Sequence, residues 1–338
     1  MKRRQFIKWA MSGSGMLLSG RAHAGIAASR AAAGQSRSAD SRIEILLNEP
    51  IGKIAPEIYG RALGRMWGWA LHHYSWNVSG GRTTDWRQGK GDALKYPADE
   101  WYELLHEADR MESLITDHWS VMAETDRQHR VKLVVDEWGA WYRPGTEAHK
   151  THLLGQQSTM RDAVLAGLTL NTFNRHADKV ALASVAQLIN CLQSLFLASE
   201  DKFATTPTFH VFEMYASHQG GLSVRTVCSS PRPSYTRNGQ PATLRGLSES
   251  ASLSDKQLVV TVTNPDATQA RLSEIAIRGA TAKSIKARVL AAKDIHAHNS
   301  FEAPRSVEPV ETPVATPRGT LVYEFAPASV TRLHIMLE

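Results

Sequence analysis

The stretch VKLVVDEWGAWY (residues 131–142) joins a short apolar, β-branched run to two adjacent carboxylates, Asp136 and Glu137, inside an aromatic cluster. An apolar run of this length is typical of a strand buried on both faces, as in parallel sheets. Carboxylates at the C-terminal end of such a strand occupy the position where α/β barrels place their catalytic groups. The aromatic side chains offer flat, weakly polar walls that suit a sugar ring. The stretch therefore predicts a carboxylate-based glycosidase site or, equally on physical grounds, a buried strand followed by a solvated acidic turn.

The flanking sequence alternates between helical and strand patterns, which favours an α/β fold. Apolar residues recur at helical spacing across residues 97–123, and Trp101 and Trp119 in that stripe are predicted to lie in the core. A second helix is predicted at about 159–174 and a second buried strand at Val180–Val185. Successive strand residues point to opposite faces, so Asp136 is expected to point away from Glu137 and to be structural.

From Leu222 onward the apolar pattern changes to a period of two, which predicts a C-terminal antiparallel β-sandwich. Residues 247–253 and 258–263 flank a short polar turn and predict a hairpin. Further short strands are expected at 275–277, 287–290, 321–325 and 331–337.

The motif Asp136-Glu137-Trp138-Gly139-Ala140-Trp141-Tyr142 resembles the nucleophile motif of glycoside hydrolase family 51, the α-L-arabinofuranosidases. The resemblance implies that Glu137 is the catalytic nucleophile and that Trp141 lines the sugar site. It also implies a (β/α)₈ barrel for the catalytic domain, followed by a C-terminal β-sandwich.

Three further residues are implied by the same resemblance. His72 and Tyr74 hold the positions of a His-x-Tyr that lines the sugar pocket, and in a strand both would point to the same side. Gln187, in the segment Ala186–Asn190, holds the position of a glutamine that binds substrate. The implied domains are an N-terminal strand at 41–55 that joins the β-sandwich, an incomplete barrel at 56–220, and the sandwich at 221–338.

The expected barrel is too short. Only 135 residues run from Pro56 to Asn190, whereas a complete (β/α)₈ barrel needs about 250. The resemblance therefore predicts an internal deletion with its junction near Arg61–Met66. The family's acid/base glutamate, within a Gly-Asn-Glu motif, would lie in the missing stretch, and the Asn48-Glu49 pair lies too early in the chain to replace it.

Two hypotheses about function follow from the resemblance. The first is an exported, retaining α-L-arabinofuranosidase that removes terminal non-reducing α-L-arabinofuranosyl groups from plant arabinoxylan or arabinan, or from their oligosaccharides. The second is a catalytically inactive remnant or weak carbohydrate-binding protein, because a retaining glycosidase needs two carboxyl groups. The resemblance also allows a homo-oligomer.

The N-terminus predicts export. Arg3–Lys8 matches the twin-arginine pattern, a weakly apolar stretch follows at Trp9–Ser19, and Ala22–Ala24 forms a cleavage triplet. We expect a signal peptide at 1–24, a flexible leader at 25–40, and a periplasmic or secreted protein. The apolar stretch is too short for a membrane span.

Composition narrows the remaining classes of protein. The formal charge is +6, but part of the excess lies at the N-terminus and no later basic run is interleaved with aromatic residues, so we expect no nucleic-acid partner. The two cysteines predict no disulfide framework, and Cys191 is interpreted as a small core residue in a helix. No phosphate-binding loop, Cys-x-x-Cys or complete metal-ligand pattern is evident, so neither cofactor nor metal is expected.

Overall fold

The computed structural model describes residues 40–53, 67–78, 91–124, 126–143, 145–147, 154–315 and 320–338. The expected signal peptide and almost all of the leader lie outside these residues. So do the first expected barrel strand, at 58–60, and the expected deletion junction.

The chain alternates strands with helices up to residue 215 and is mostly β beyond it. In chain order the elements are β1 (Ser41–Lys53), β2 (Gly68–Ser75), α1 (Ala98–Asp109), α2 (Met111–Met122), β3 (Lys132–Ala140), α3 (Met160–Arg175), β4 (Val180–Val185), β5 (Phe196–Ser199), β6 (Lys202–Thr205), α4 (Pro207–Tyr215), β7 (Leu222–Ser229), β8 (Ser234–Arg237), β9 (Gln240–Thr243), β10 (Ser248–Ser254), β11 (Gln257–Asn264), β12 (Arg271–Arg278), β13 (Ala282–Ala291), β14 (Val310–Val314), β15 (Leu321–Phe325) and β16 (Ser329–Leu337).

The part of the chain from β2 to α4 is the first region, and it contains a three-stranded parallel sheet with the order β2-β3-β4. The helices α1 and α2 lie between β2 and β3 in the chain, and α3 lies between β3 and β4. Parallel neighbours need such crossover connections, because a tight turn can join only antiparallel strands. The α/β prediction for this region is therefore confirmed, and the strand predicted at 180–185 is β4.

The helix predicted at 97–123 is in fact two helices that meet at Arg110. α1 buries most of its length, whereas α2 buries only Met111 and Ile115. Trp101 is fully buried, as predicted, and its indole nitrogen donates to the Pro265 carbonyl at 2.9 Å. The helix α1 is packed in the core, whereas α2 lies on the surface. The continuous apolar pattern in the sequence does not predict this difference.

The second region is a nine-stranded sheet with the order β14-β13-β16-β11-β10-β7-β1-β12-β15. The predicted hairpin is β10–β11, with Ala251 opposite Val260. Val314 of β14 packs against the apolar cluster that contains Tyr323 of β15, and these two strands lie at opposite ends of the order, so the sheet curls around its own core. The sheet is not wholly antiparallel as expected: β1 pairs with β7 antiparallel but with β12 parallel. No hairpin joins β1 to β12, so nothing forces those two strands to run in opposite directions.

The helix α3 joins the two regions. It begins with a capping box, in which the Thr159 side chain accepts from the Arg161 amide and Asp162 accepts from the Thr159 amide. Every residue from Met160 to Asn174 is buried. A β-carbon on Gly167 would lie 2.4 Å from Thr263 Oγ1, so glycine allows the helix to lie directly against the nine-stranded sheet.

Candidate active site

The carboxylates of β3 lie at a β-bulge. Leu71 of β2 pairs with Val135 and His72 pairs with Glu137, so Asp136 has no partner on β2. The register between β3 and β4 shifts at the same place. A bulge of this kind adds one residue to a strand and redirects its side chains.

The bulge corrects the expectation that Asp136 points away from Glu137. Val135 and Trp138 on either side are buried, while both carboxylates contact the same imidazole. His72 Nε2 lies 3.0 Å from Asp136 Oδ1, and His72 Nδ1 lies 3.4 Å from Glu137 Oε2. The side chains do not alternate strictly between the two faces here, because the extra residue of the bulge changes the direction of those that follow it.

Tyr74 is the closest hydrogen-bonding partner of Glu137. Its hydroxyl donates to Glu137 Oε2 at 2.8 Å. Burial, together with the hydrogen bond and the negative charge of Glu137, raises the pKa of Tyr74 well above its usual range. The phenol therefore stays protonated and remains a donor at any pH at which the protein would work. His72 and Tyr74 both reach Glu137, as their i, i+2 spacing predicts.

Trp141 and Gln187 lie on the same edge of the sheet. The Trp141 ring packs edge-on against Tyr74, with 5.1 Å between ring centroids, and its amide donates to the Ser75 carbonyl. Gln187 directly follows β4 and is exposed. It makes no hydrogen bond to the other four residues among the parts of the chain that the structure describes. The structure thus brings four of the five expected site residues into one cluster and places the fifth beside it.

Two buried glutamines that the sequence did not single out hold the end of β3. Gln193 Oε1 accepts from the Ala140 amide at 2.7 Å, and Gln156 Oε1 accepts from the Tyr142 amide at 2.6 Å. Gly139 has a φ of +145° and lies against Gln193, where a β-carbon would approach the Gln193 side chain at 3.0 Å. The glycine in the motif gives the only available signal, since it marks a backbone that other residues rarely adopt.

Cys191 is not the helical core residue that we expected. It lies in the loop after β4 and is only half-buried. Burial and the negative charge of Glu137 raise the pKa of its thiol. The Cys191 thiol is therefore close enough to Glu137 for the negative charge to affect it. It stays in its uncharged, weakly nucleophilic form.

A cavity of about 350 Å³ opens beside β2; His72 and Tyr74 belong to its lining, but Glu137, Trp141 and Gln187 do not. Two arginines also line it, but both are paired with Glu107: Arg110 at 2.9 Å and Arg237 at 2.6 Å. Because Glu137 does not line it, the cavity lies beside the cluster and not over the carboxylate. Its size falls within the usual range for small-molecule sites.

Within the described residues, the arrangement can supply a carboxylate nucleophile but shows no second carboxyl from a separate element. Glu137 is 39% exposed and held by Tyr74. Among the described residues, the other carboxylate in this cluster is the neighbouring Asp136. No group of three or more metal-binding side chains occurs in the described parts of the chain. None of the described helices is long and apolar enough to cross a membrane.

Comparisons with known proteins identify the family of this chain. The sequence profile of the α-L-arabinofuranosidase C-terminal domain matches residues 136–329. An intracellular exo-α-L-arabinofuranosidase of Bacteroides ovatus is 31% identical over 275 residues, which cover 80% of this chain and 51% of that protein. An intracellular exo-α-(1→5)-L-arabinofuranosidase of Streptomyces lividans is 26% identical over 198 residues, covering 56% of this chain and 30% of that one.

Solved structures show the same relationship. The family 51 arabinofuranosidase of Xanthomonas axonopodis pv. citri superposes with a TM-score of 0.72 at 28% identity, covering 80% of this chain and 53% of the other. The α-L-arabinofuranosidase of Thermotoga maritima, solved with arabinose, shares the fold with a TM-score of 0.62 at 23% identity, covering 79% and 52%. The chain spans about half the length of these relatives. Since the matching profile covers more than half of the chain and includes Glu137, the chain belongs to the α-L-arabinofuranosidase family, glycoside hydrolase family 51.

Proposed function

We propose that this chain acts on terminal non-reducing α-L-arabinofuranosyl groups of arabinoxylan, arabinan or their oligosaccharides, with Glu137 as the nucleophile. The observation that carries the proposal is the hydrogen bond from Tyr74 to Glu137 at the carboxyl edge of the parallel sheet. A nucleophilic carboxylate must be ionised and fixed in direction. Tyr74 fixes the direction of one Glu137 oxygen by donating to it, and His72 lies against the same oxygen.

The proposed reaction begins with attack on the anomeric carbon. A Glu137 oxygen forms a bond to that carbon while the bond to the leaving oxygen breaks, which gives a covalent arabinosyl enzyme. Water or another nucleophile then displaces Glu137, so the configuration is retained. Trp141 and Gln187 are proposed to line the sugar, Trp141 with its ring and Gln187 with its amide.

The limiting feature of the proposed reaction is proton transfer to the leaving group. A retaining glycosidase places its second carboxyl about 5–5.5 Å from the nucleophile, on the other side of the scissile bond. In the described residues only Asp136 accompanies Glu137, from the same bulge. General acid–base assistance is worth typically 10²–10⁴-fold. We therefore expect this chain to act on substrates with good leaving groups and to deglycosylate slowly.

The second candidate function is an inactive remnant or weak carbohydrate binder, as an internal deletion that removed the acid/base group would produce. It is favoured by the lack of a separately placed second carboxyl among the described residues, because such a site can bind a sugar and yet turn over poorly. The two candidates share the fold and the pocket. They differ in whether Glu137 forms a bond to the sugar.

Azide separates the two candidates. An aryl α-L-arabinofuranoside with a good leaving group is given to the full chain with and without sodium azide. Azide needs no general base, so it should accelerate turnover and yield α-L-arabinofuranosyl azide of retained configuration. Tyr74→Phe should lower the azide-assisted rate by about tenfold, since one hydrogen bond to a charged group is worth roughly 1.5 kcal/mol. No azide product, with arabinose binding still measurable, would leave only the binding function.

The proposal also includes export by the twin-arginine route to the periplasm or medium. It rests on Arg3–Lys8 and the Ala22–Ala24 triplet. The Bacteroides ovatus and Streptomyces lividans relatives are named as intracellular enzymes, so location is a separate question from activity. Replacing Arg3 and Arg4 together with lysine should keep the protein in the cytoplasmic fraction, whereas equal distribution of both forms would overturn the export proposal.

A further inference from the structure

A cavity of about 380 Å³ lies outside the cluster around Glu137, and no step of the proposed reaction uses it. Three separate parts of the chain form its walls: residues 155–157, residues 190–202 and residues 300–302. The first two follow β3 and β4 in the chain. The cavity therefore lies on the carboxyl edge of the parallel sheet, the edge that carries Glu137.

Hydrogen bonds between the walls hold the cavity open without a ligand. The Leu192 amide donates to the Leu154 carbonyl at 2.7 Å, which ties the second wall to the first. Gln157 Nε2 donates to the Asn299 carbonyl at 2.8 Å, which ties the first wall to the third. Asn190 donates to and accepts from the Ala198 backbone, which fixes the hairpin β5–β6. A site that is already formed loses little conformational entropy on binding.

The lining has the composition of a carbohydrate site. Phe301 presents a half-buried aromatic ring, a surface on which the C–H face of a sugar can lie. Gln157 also lines the cavity, and the hydrogen bond from its Nε2 to the Asn299 carbonyl fixes its side-chain amide. The oxygen of such an amide accepts hydrogen bonds from hydroxyl groups. A sugar hydroxyl is a donor of the right kind.

The charges of the lining limit the class of ligand. Glu200, Lys202 and Glu302 face the cavity, so carboxylates outnumber the single cation. A phosphate or a uronic acid would meet this negative excess, and a lipid would meet too many polar groups. An uncharged, polyhydroxylated ligand fits both conditions.

We propose that this cavity is a binding subsite for a neutral sugar unit of a polysaccharide main chain, separate from the arabinosyl site at Glu137. The assignment to a main chain rests on the proposed function, whereas the assignment to a neutral sugar rests on the lining alone. The subsite would hold the part of the glycan that is not cleaved, and so would increase affinity for oligosaccharides over simple aryl arabinosides.

Calorimetric titration of the full chain with α-1,5-linked arabinotriose and with xylotriose tests this proposal. Phe301→Ala should weaken binding of the trisaccharide that binds better by about tenfold, the loss of one aromatic contact. Lys202→Ala, at an exposed position that cannot disturb the core, should weaken it by about threefold. The matched control is Phe203→Ala, because Phe203 is an exposed aromatic residue of the same hairpin that does not line the cavity.

The outcomes distinguish this inference from the proposed catalysis. Trisaccharide binding that falls in Phe301→Ala and Lys202→Ala but persists in Phe203→Ala and in Glu137→Gln supports the subsite, even if the azide experiment fails. No binding of either trisaccharide by the unaltered chain overturns it. Equal affinity for all variants also overturns it, because binding would then lie elsewhere.

Discussion

The nine-stranded sheet and the three-stranded parallel sheet have outer strands of different character. In the larger sheet the outer strands β14 and β15 are five residues long, and β14 carries Pro313 and Glu311. In the smaller sheet β2 is eight residues long and exposes 56% of Trp69. Short edges with proline and charge discourage further pairing, whereas a long edge with an exposed aromatic residue invites it.

Within the described residues, the two sheets therefore differ in how their edges are protected. The nine-stranded sheet surrounds its own apolar cluster and protects its edges. The parallel sheet has the candidate nucleophile in place, yet within the described residues its edge at β2 is the kind of surface that further strands cover in a whole barrel. Each of the following predictions tests the contrast between the nine-stranded sheet and the α/β region that carries Glu137.

The largest expected effect comes from the nucleophile. Glu137→Gln should reduce azide-assisted turnover of an aryl arabinofuranoside by at least about 10³-fold, because the covalent intermediate cannot form. Asp136→Asn is the matched control: it changes the other carboxylate at the same imidazole and should cost less than about tenfold. Equal losses in the two variants would show that the carboxylates act as one unit and would contradict the assignment of Glu137 alone.

The contact between the two regions should be the next most sensitive point. Gly167→Ala should lower the free energy of unfolding by about 1–3 kcal/mol, since the added methyl group overlaps Thr263 and Val330. Denaturant unfolding measures this loss. Adding Thr263→Ala should recover part of it, because the nearest atom is removed. If Gly167→Ala unfolds like the unaltered protein, helix α3 is not tightly packed on the nine-stranded sheet.

A pH-dependent effect is expected within the β region. Burial lowers the pKa of His218 to about 3, and its ring lies between the Ser252 and Thr261 hydroxyls. Between about pH 6.5 and 3 the unfolded chain binds a proton at this residue and the native protein does not, so stability falls as the pH falls. The slope is roughly 1.4 kcal/mol per pH unit at most. His218→Gln should have a shallower slope in denaturant unfolding between pH 6 and 4, and an unchanged slope would contradict a neutral buried imidazole.

The smallest expected effect concerns the exposed edge. Trp69→Lys should change the free energy of unfolding by less than about 0.5 kcal/mol, because the side chain is mostly in solvent. It should nevertheless reduce self-association in sedimentation experiments, because a charged side chain on the exposed β2 edge discourages pairing with a second copy. Val322→Lys, at an exposed position on β15, is the control and should leave association unchanged. Equal behaviour of both variants would remove the contrast between the two edges.

Local patterns in the sequence predicted many of the elements correctly. The apolar run before Asp136 is β3, the helical stripe before residue 174 is α3, and the alternating segments around residue 255 are the hairpin β10–β11. His72, Tyr74 and Glu137 were expected in one site and do contact one another. The helices and strands depend on residues close together in the chain, whose periodicity reports directly on which face is buried, whereas the shared site was expected from the family resemblance.

Other features depend on partners far away in the chain and could not be inferred locally. The bulge at Asp136 exists only in the register of β3 against its neighbours. The break at Arg110 follows from the different burial of α1 and α2, and the loop position of Cys191 follows from the path of the chain after β4. A single-strand argument therefore placed Asp136 on the wrong face.

The sequence by itself determined the family, the nucleophile candidate and the division into an α/β region and a β region, because motif identity and periodicity are local properties. Only the tertiary structure decided that Asp136 and Glu137 share one imidazole, that Gln156 and Gln193 hold the end of β3, and that three distant segments enclose a second cavity. These arrangements arise from strand register and from buried hydrogen bonds between residues remote in sequence, and both are settled only when the whole chain packs.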